Sequence, residues 1–201
     1  MGGPLEGLVI ADFTQLAQGP FSTQMFGDMG AEIIKIEPPK GDWMRHWSMA
    51  NLFLHGESAS FLSFNRNKRS IALDLKHPDG KEVALRLIGA ADVVIENFRP
   101  GVMERLGLGY ETLAERLPRL VYCASAGWGQ TGPYVSRPGQ DLLVQAVAGV
   151  GYLNGNESGP PQGVASGSPI SPPGSTSSTA CWPRSTRASG RARASGSTSP
   201  F

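Results

Sequence analysis

The sequence predicts an α/β fold, an open parallel sheet with flanking helices, and three observations predict it. Short apolar runs rich in β-branched residues recur along the first 163 residues without polar alternation, the pattern of strands covered on both faces. Stretches of helical spacing separate these runs, so consecutive strands are joined by crossovers rather than hairpins. The chain has 201 residues, 40% of them hydrophobic, which suffices for one core and is short for two independent domains.

The elements follow in order. Gly7 to Phe13 (GLVIADF) reads as a first strand. A Gly-Pro turn at Gly19 and Pro20 leads into a helix over Phe21 to Met29, which Gly30 closes. Glu32 to Glu37 (EIIKIE) is a second strand, stopped by Pro38 and Pro39. Ser70 to Leu73 is a weaker third strand, and Pro78 to Ala90 is a helix with Val83, Leu85, Leu87 and Ile88 at helical spacing. Asp92 to Glu96 (DVVIE) repeats the strand signature, as does Arg119 to Ala124 after a helix at Tyr110 to Arg116. The expected architecture is Rossmann-like, wound right-handedly, with ligands at the carboxyl ends of the strands.

Composition excludes several classes of partner. With 18 Lys+Arg against 17 Asp+Glu there is no global field to hold nucleic acid or an anionic membrane. The longest apolar run, Leu142 to Leu153, is broken by Gln145 and falls short of the roughly 20 residues of a membrane helix. The N-terminal MGGPLEGL lacks a basic region and a long apolar stretch, so no secretory signal is read and a cytoplasmic location is expected. Cys123, Cys181, His46, His55 and His77 give neither a disulfide framework nor metal-ligand spacing, so no metal is expected. Gly149, Gly151 and Gly155 follow a helix at Asp141 to Ala148 and have the wrong final spacing for a dinucleotide fingerprint. A helix stop and loop is the expected role there, and NAD is not expected.

The composition shifts sharply near residue 163. All 17 acidic residues lie before Gln162, and of the 38 residues from Val164 to Phe201, 29 are Gly, Ala, Ser, Thr or Pro and four are Arg. Such a segment buries too little apolar surface to offset its ordering entropy. Residues 1–163 are therefore read as the folded portion and 164–201 as an irregular tail.

At the expected strand ends the residues are polar. Gln15 and Gln18 follow the first strand, Asp74 and Lys76 follow the third in LDLK, and Asn97, Phe98 and Arg99 follow DVVIE. Singly, each is better read in ordinary terms: Lys76 as a solvated charge, Asn97 as a turn former and Arg105 as a helix surface residue. Jointly, three such clusters on one crevice suit a phosphorylated, partly apolar ligand.

The strings PLEGLVIADFTQLAQGP, GDMGAEIIKIEPP, NRNKRSIALDLKHPDGKE, ADVVIENFRPGVMERLGLGYE, SAGWGQTGP and RPGQDLLVQAVAGV resemble, in order and spacing, the family III CoA-transferases, over nearly all of residues 4–163. The family includes formyl-CoA transferase, carnitine CoA-transferase and 2-methylacyl-CoA racemase. The resemblance implies a large Rossmann-like domain of which this chain is the N-terminal part, a chain about twice this length, and an interlocked homodimer. It implies acyl-CoA and a carboxylic acid as substrates, and it places coenzyme A along Gln15, Ala17, Gln18, Leu73, Asp74, Leu75, Lys76, Asn97, Phe98, Arg99 and Arg105. Formyl-CoA transferases carry an arginine after the IKIE strand where this chain has Pro38, so that phosphate contact falls to Lys40 or Arg45, or is missing.

The racemase branch uses a histidine in a GHD motif, and the matching string here is Gly139, Gln140, Asp141. Glutamine exchanges no proton near neutral pH, which favours the transferase branch. Transferases are implied to use one aspartate as nucleophile, passing through a mixed anhydride and an enzyme thioester. That aspartate is expected about 25 to 30 residues beyond Asp141, and no aspartate occurs after Asp141. A one-base frameshift near Val164 to Ser168 accounts for this: the displaced frame permits A-D-L-A-A-G from Pro169, which resembles the family's continuation. A genuine Ser/Pro/Arg-rich linker is the alternative. The GWGQTGP loop, Gly127 to Pro133, resembles a glycine-rich region near the site, with an ordinary loop as an equal reading. Two expectations stand: a CoA-transferase whose chain as written lacks a catalytic residue and is inactive, or a noncatalytic CoA-binding remnant of the same fold.

Overall fold

A computed structural model describes residues 3–48, 51–154 and 158–163. The tail at 164–201, including the displaced-frame segment, lies outside the described residues. Five parallel strands form the main sheet: β1 (Val9–Asp12), β2 (Glu32–Glu37), β5 (Lys68–Ala72), β6 (Val93–Glu96) and β7 (Val121–Ala124). A two-stranded antiparallel hairpin, β3 (Phe53–Leu54) and β4 (Glu57–Ser58), sits apart from it. The helices are α1 (Gln18–Asp28), α2 (Ala59–Asn65), α3 (Pro78–Gly89), α4 (Val102–Arg105), α5 (Tyr110–Arg116), α6 (Asp141–Val147) and α7 (Val150–Leu153).

Strand order is β5-β2-β1-β6-β7. The chain steps outward from β1 to β5, then returns across the sheet to β6. The direction reverses between β1 and β6, and open α/β sheets hold ligands in the crevice at such a reversal. Because neighbouring strand residues face opposite sides, the sheet is covered twice. Ala11, Ile36 and Val94 pack with Ala84 and Ile88 of α3, Met103 of α4 and Leu113 of α5. Ile10, Ile33, Val93 and Ile95 pack on the other side with Leu5, Ala31 and Phe26 of α1. Ile88 is fully buried, so truncating it to alanine should cost about 2 to 5 kcal/mol.

Several boundaries differ from expectation for identifiable reasons. Gly19 and Pro20 are not a turn before α1 but its first turn, where the missing proline N–H costs nothing. Gly19 is required there, since a Cβ would lie 2.4 Å from Thr14 Cβ. Gly30, at φ +99°, follows the helix as expected. β5 begins at Lys68 rather than Ser70 because the Lys68 ammonium is drawn inward to Asp12. Gly149 ends α6 at φ +77°, but Gly151 is not loop: it is buried within the short helix α7. Gly155 lies outside the described residues. No helix among the described residues is long and apolar enough to cross a membrane.

Candidate functional site

The loops after β1, β6 and β7 meet at the reversal. The Gln15 main-chain N–H donates to Asn97 Oδ1 at 2.8 Å, and Asn97 Nδ2 donates back to the Gln15 carbonyl at 2.9 Å. Gln18 Nε2, in the first turn of α1, donates to Ser125 Oγ after β7 at 3.0 Å. Gln15, Ala17 and Gln18 are all half-buried, on a loop whose Leu16 sits at φ +65°. Ser125 was not legible as a partner because its one signal, a hydroxyl beyond an apolar strand, is common to many turns.

Phe98 follows directly. Its N–H donates to Glu96 Oε2 at 2.7 Å, which pins the turn to the strand end. The Phe98 ring packs on the same apolar cluster as Leu73 and Leu75. Arg99 and Arg105 are exposed, and Arg105 lies over the turn: a Cβ on Gly101, itself at φ +83°, would meet Arg105 Nη1 at 3.0 Å. Gly101 therefore lets the guanidinium lie against the backbone of the turn.

The LDLK segment occupies the outer edge, since β5 lies two places from β1. Asp74 Oδ1 accepts the Lys76 N–H at 2.9 Å, so the Asp74 carboxylate caps its own turn. Gly80 permits this path, because a Cβ there would lie 2.2 Å from the Asp74 carbonyl oxygen. Lys76 is exposed. The three clusters thus share the carboxyl edge, and direct hydrogen bonds join the Gln15 and Asn97 loops.

Beneath the β1 and β2 side lies a buried charge network that the strand pattern concealed. Asp12 accepts from Thr14 N at 2.9 Å, Thr14 Oγ1 at 2.5 Å, Thr23 Oγ1 at 2.7 Å and Lys68 Nζ at 3.1 Å. Burial alone raises its carboxyl pKa, but Lys68, Lys35 and the two hydroxyls hold it below the ordinary value. Lys35 Nζ, fully buried, donates to the Thr14 carbonyl at 2.6 Å and lies 2.9 Å from Asp42 Oδ2. Arg45 grips Glu37 through Nε and Nη2, both at 2.7 Å, and its guanidinium stacks 3.9 Å from the Phe61 ring centroid. Of the two cations expected to replace the arginine missing at Pro38, Arg45 is therefore engaged within the fold, while Lys40 stays exposed. Burial works against Glu37, yet Arg45, Ser70 and the Asp42 N–H bring it down to about 2.

The β6 and β7 side is different. Glu96 is only 6% exposed, and among the described residues its carboxylate accepts from Phe98 N. Burial, helped by the nearby Glu104 charge, pushes its carboxyl up to about 7. The buried Tyr122 hydroxyl has no hydrogen-bond partner among the described residues, and burial beside Glu96 and Glu104 raises its pKa.

Beyond β7 the loop 127–133 crosses segment 137–140 at two glycines: a Cβ on Gly127 would lie 2.5 Å from Gly139 Cα. Trp128 Nε1 donates to the Pro138 carbonyl at 3.1 Å. Asp141 Oδ2 accepts from Gln145 Nε2 at 2.9 Å within α6, and Gln140 precedes the helix.

Comparison with known proteins bears on the family and the fold. The chain is 45% identical over 159 residues to human succinyl-CoA:glutarate CoA-transferase, covering 79% of this chain and 36% of that protein. It is 45% identical over 163 residues to acetyl-CoA:oxalate CoA-transferase of Acetobacter aceti, covering 81% and 41% respectively. Among solved structures, Rv3272 from Mycobacterium tuberculosis superposes with a TM-score of 0.87 at 37% identity, covering 97% of this chain and 54% of that one. A CAIB/BAIF family protein from Brucella suis gives 0.85 at 36% identity, covering 94% and 51%. The chain thus spans about two fifths of the length of these curated relatives. With the CoA-transferase family III profile matching residues 5–177, the chain belongs to that family.

Proposed function

We propose that residues 1–163 form the coenzyme A-binding part of a CoA-transferase that moves CoA between an acyl-CoA thioester and a carboxylic acid. The observation that carries this reading is the reversal between β1 and β6, where the Gln15, Gln18 and Asn97 loops are tied together beside the exposed Arg99 and Arg105. In this reading Arg99, Arg105 and Lys76 meet the phosphates of CoA, because their charges are free of carboxylate partners within hydrogen-bonding distance among the described residues. Phe98, Leu73 and Leu75 supply the apolar ledge for the adenine. Gln15, Ala17, Gln18 and Asn97 shape the loop along which the ligand lies, and the Asp74 carboxylate holds the LDLK turn.

Moving CoA from one carboxylic acid to another proceeds through a nucleophile that carries the donor acyl group and then CoA. An aspartate carboxylate attacks the thioester carbon, the CoA thiolate leaves, and a mixed anhydride forms. The thiolate then returns to the enzyme carbonyl and expels the first carboxylate. The acceptor carboxylate repeats the exchange and departs as the new thioester. No aspartate follows Asp141 in this chain, and the Asp141 carboxylate is bonded to Gln145. The chain as written therefore binds CoA without turning it over, and a frameshift near Val164 to Ser168 is the origin of the loss. Gln140 where racemases carry histidine disfavours proton exchange α to the thioester.

Titrating CoA into the 201-residue chain, then assaying it with succinyl-CoA and glutarate and with acetyl-CoA and oxalate, tests this. Binding without turnover is expected. Absence of binding contradicts the reading, and turnover contradicts the loss of the nucleophile.

A further inference from the structure

We infer that Asn97 is a positioning residue, whose side chain locks the loop after β1 onto the turn after β6 and serves coenzyme A by holding that loop. This rests on the CoA reading above and assigns Asn97 a different part in it. Both polar atoms of the Asn97 carboxamide are engaged by one residue: Oδ1 accepts the Gln15 N–H at 2.8 Å and Nδ2 donates to the Gln15 carbonyl at 2.9 Å. A primary amide facing a main-chain amide in this reciprocal way leaves only the second Nδ2 hydrogen and a carbonyl lone pair. The partner is 82 residues away in sequence. The pair therefore closes a long-range contact across the reversal.

What the clasp holds is a strained segment. Leu16 sits at φ +65°, a conformation that side chains other than glycine adopt at a cost. The Leu16 N–H is held by a long hydrogen bond, 3.5 Å to Asp42 Oδ1. Beyond it, Gln18 reaches Ser125 Oγ at 3.0 Å. The loop is thus fixed at both ends, by Asn97 before Leu16 and by Ser125 after it. With either tie gone, the loop samples other conformations and the ordered site forms at an entropic cost.

The test uses the 201-residue chain labelled with 15N, in three forms: wild type, Asn97→Ala and Asn97→Asp. Two quantities are read on each, the amide exchange rate of Gln15 and the affinity for CoA, with thermal midpoint as a fold check. A positioning role predicts that Asn97→Ala raises Gln15 exchange about tenfold or more and weakens CoA by about tenfold, the two moving together. Asn97→Asp keeps the acceptor for the Gln15 N–H, so Gln15 exchange should stay within about threefold of wild type and CoA binding should be partly rescued. On wild type, CoA addition should leave the Asn97 side-chain amide hydrogens slow to exchange. Weaker CoA binding with unchanged Gln15 exchange overturns the inference in favour of a direct contact. Faster Gln15 exchange with unchanged CoA affinity overturns it in favour of a purely structural role. If wild type does not bind CoA, the functional reading and the clasp's service to CoA both fail, whereas protected Gln15 exchange lost only in Asn97→Ala still identifies the clasp.

Discussion

The two sides of the β1/β6 reversal are built on opposite principles. On the β1 and β2 side, Asp12, Lys35, Glu37, Asp42, Arg45 and Lys68 are buried or half-buried, and each carboxylate faces a cation. On the β6 and β7 side, the Glu96 carboxyl and the Tyr122 hydroxyl are buried with no cation partner among the described residues, and Glu96 accepts from Phe98 N. Compensated charges fix a scaffold rigidly, because removing one partner strands the other in a medium of low dielectric. A buried carboxyl without such compensation is pushed toward neutral pH, as Glu96 is. The difference teaches that the cations nearest the core serve the fold, which leaves exposed cations, Lys40, Lys76, Arg99 and Arg105 among them, as the ones open to a ligand.

The largest effect should come from breaking the compensated side. Lys35→Met leaves the Asp42 carboxylate and the Thr14 carbonyl without their buried donor, and about 3 to 5 kcal/mol of stability should be lost in urea unfolding. A loss below about 1 kcal/mol would show that water replaces the ammonium and that this side is not rigid.

The pH dependence sharpens the contrast next, because the two sides should slope in opposite directions. Glu37 falls from an ordinary 4.5 to about 2 on folding, so its stabilising contribution is present above pH 4.5 and is lost as pH drops toward 2. Glu96 rises from 4.5 to about 7, so the folded state favours its protonated form and stability declines as pH climbs from 4.5 to 7, then levels. Glu96→Gln should flatten that decline and make the chain more stable at pH 8 by up to roughly 3 kcal/mol, the linkage equivalent of such a shift. An unchanged pH profile in Glu96→Gln removes the uncompensated side from the account.

The smallest effect belongs to an exposed pair between β2 and β5. Arg69 and Glu32 form an ion pair with side chains 78% and 45% exposed, and Arg69→Ala should cost at most about 0.5 kcal/mol. A larger loss would mean that edge charges matter as much as the buried network.

How far all this was legible varies with the kind of signal. The strand Glu32–Glu37 and the helix Tyr110–Arg116 were readable to the residue, because proline or glycine punctuates them and their apolar spacing is unambiguous. The hairpin β3–β4 and α2 were not foreseen. Apart from the buried Ser58 and Phe61 their residues are exposed or half-buried, so no continuous buried stripe marks them, and α2 depends on the Ser58 hydroxyl accepting from Phe61 N. Lys35 was hidden because a lysine within EIIKIE reads as a solvent-facing residue, whereas its partner Asp42 arrives from a separate turn. Asn97 was legible as a residue of interest but not as the partner of Gln15, since no spacing rule links positions 82 apart. Glu96 gave no signal at all, because a carboxylate ending an apolar strand looks like a strand stop.

The central claim, that the exposed cations beside the reversal hold coenzyme A, is tested most directly by one comparison of CoA affinities. Calorimetric titration of CoA into wild type and Arg105→Ala, in a frame-restored full-length protein, isolates a guanidinium that contacts the Gly101 turn but no carboxylate among the described residues. Loss of one charge-assisted phosphate contact predicts a tenfold to hundredfold weaker affinity, about 1.5 to 3 kcal/mol. Equal affinities in the two proteins would contradict the claim at Arg105 and return that residue to the helix surface.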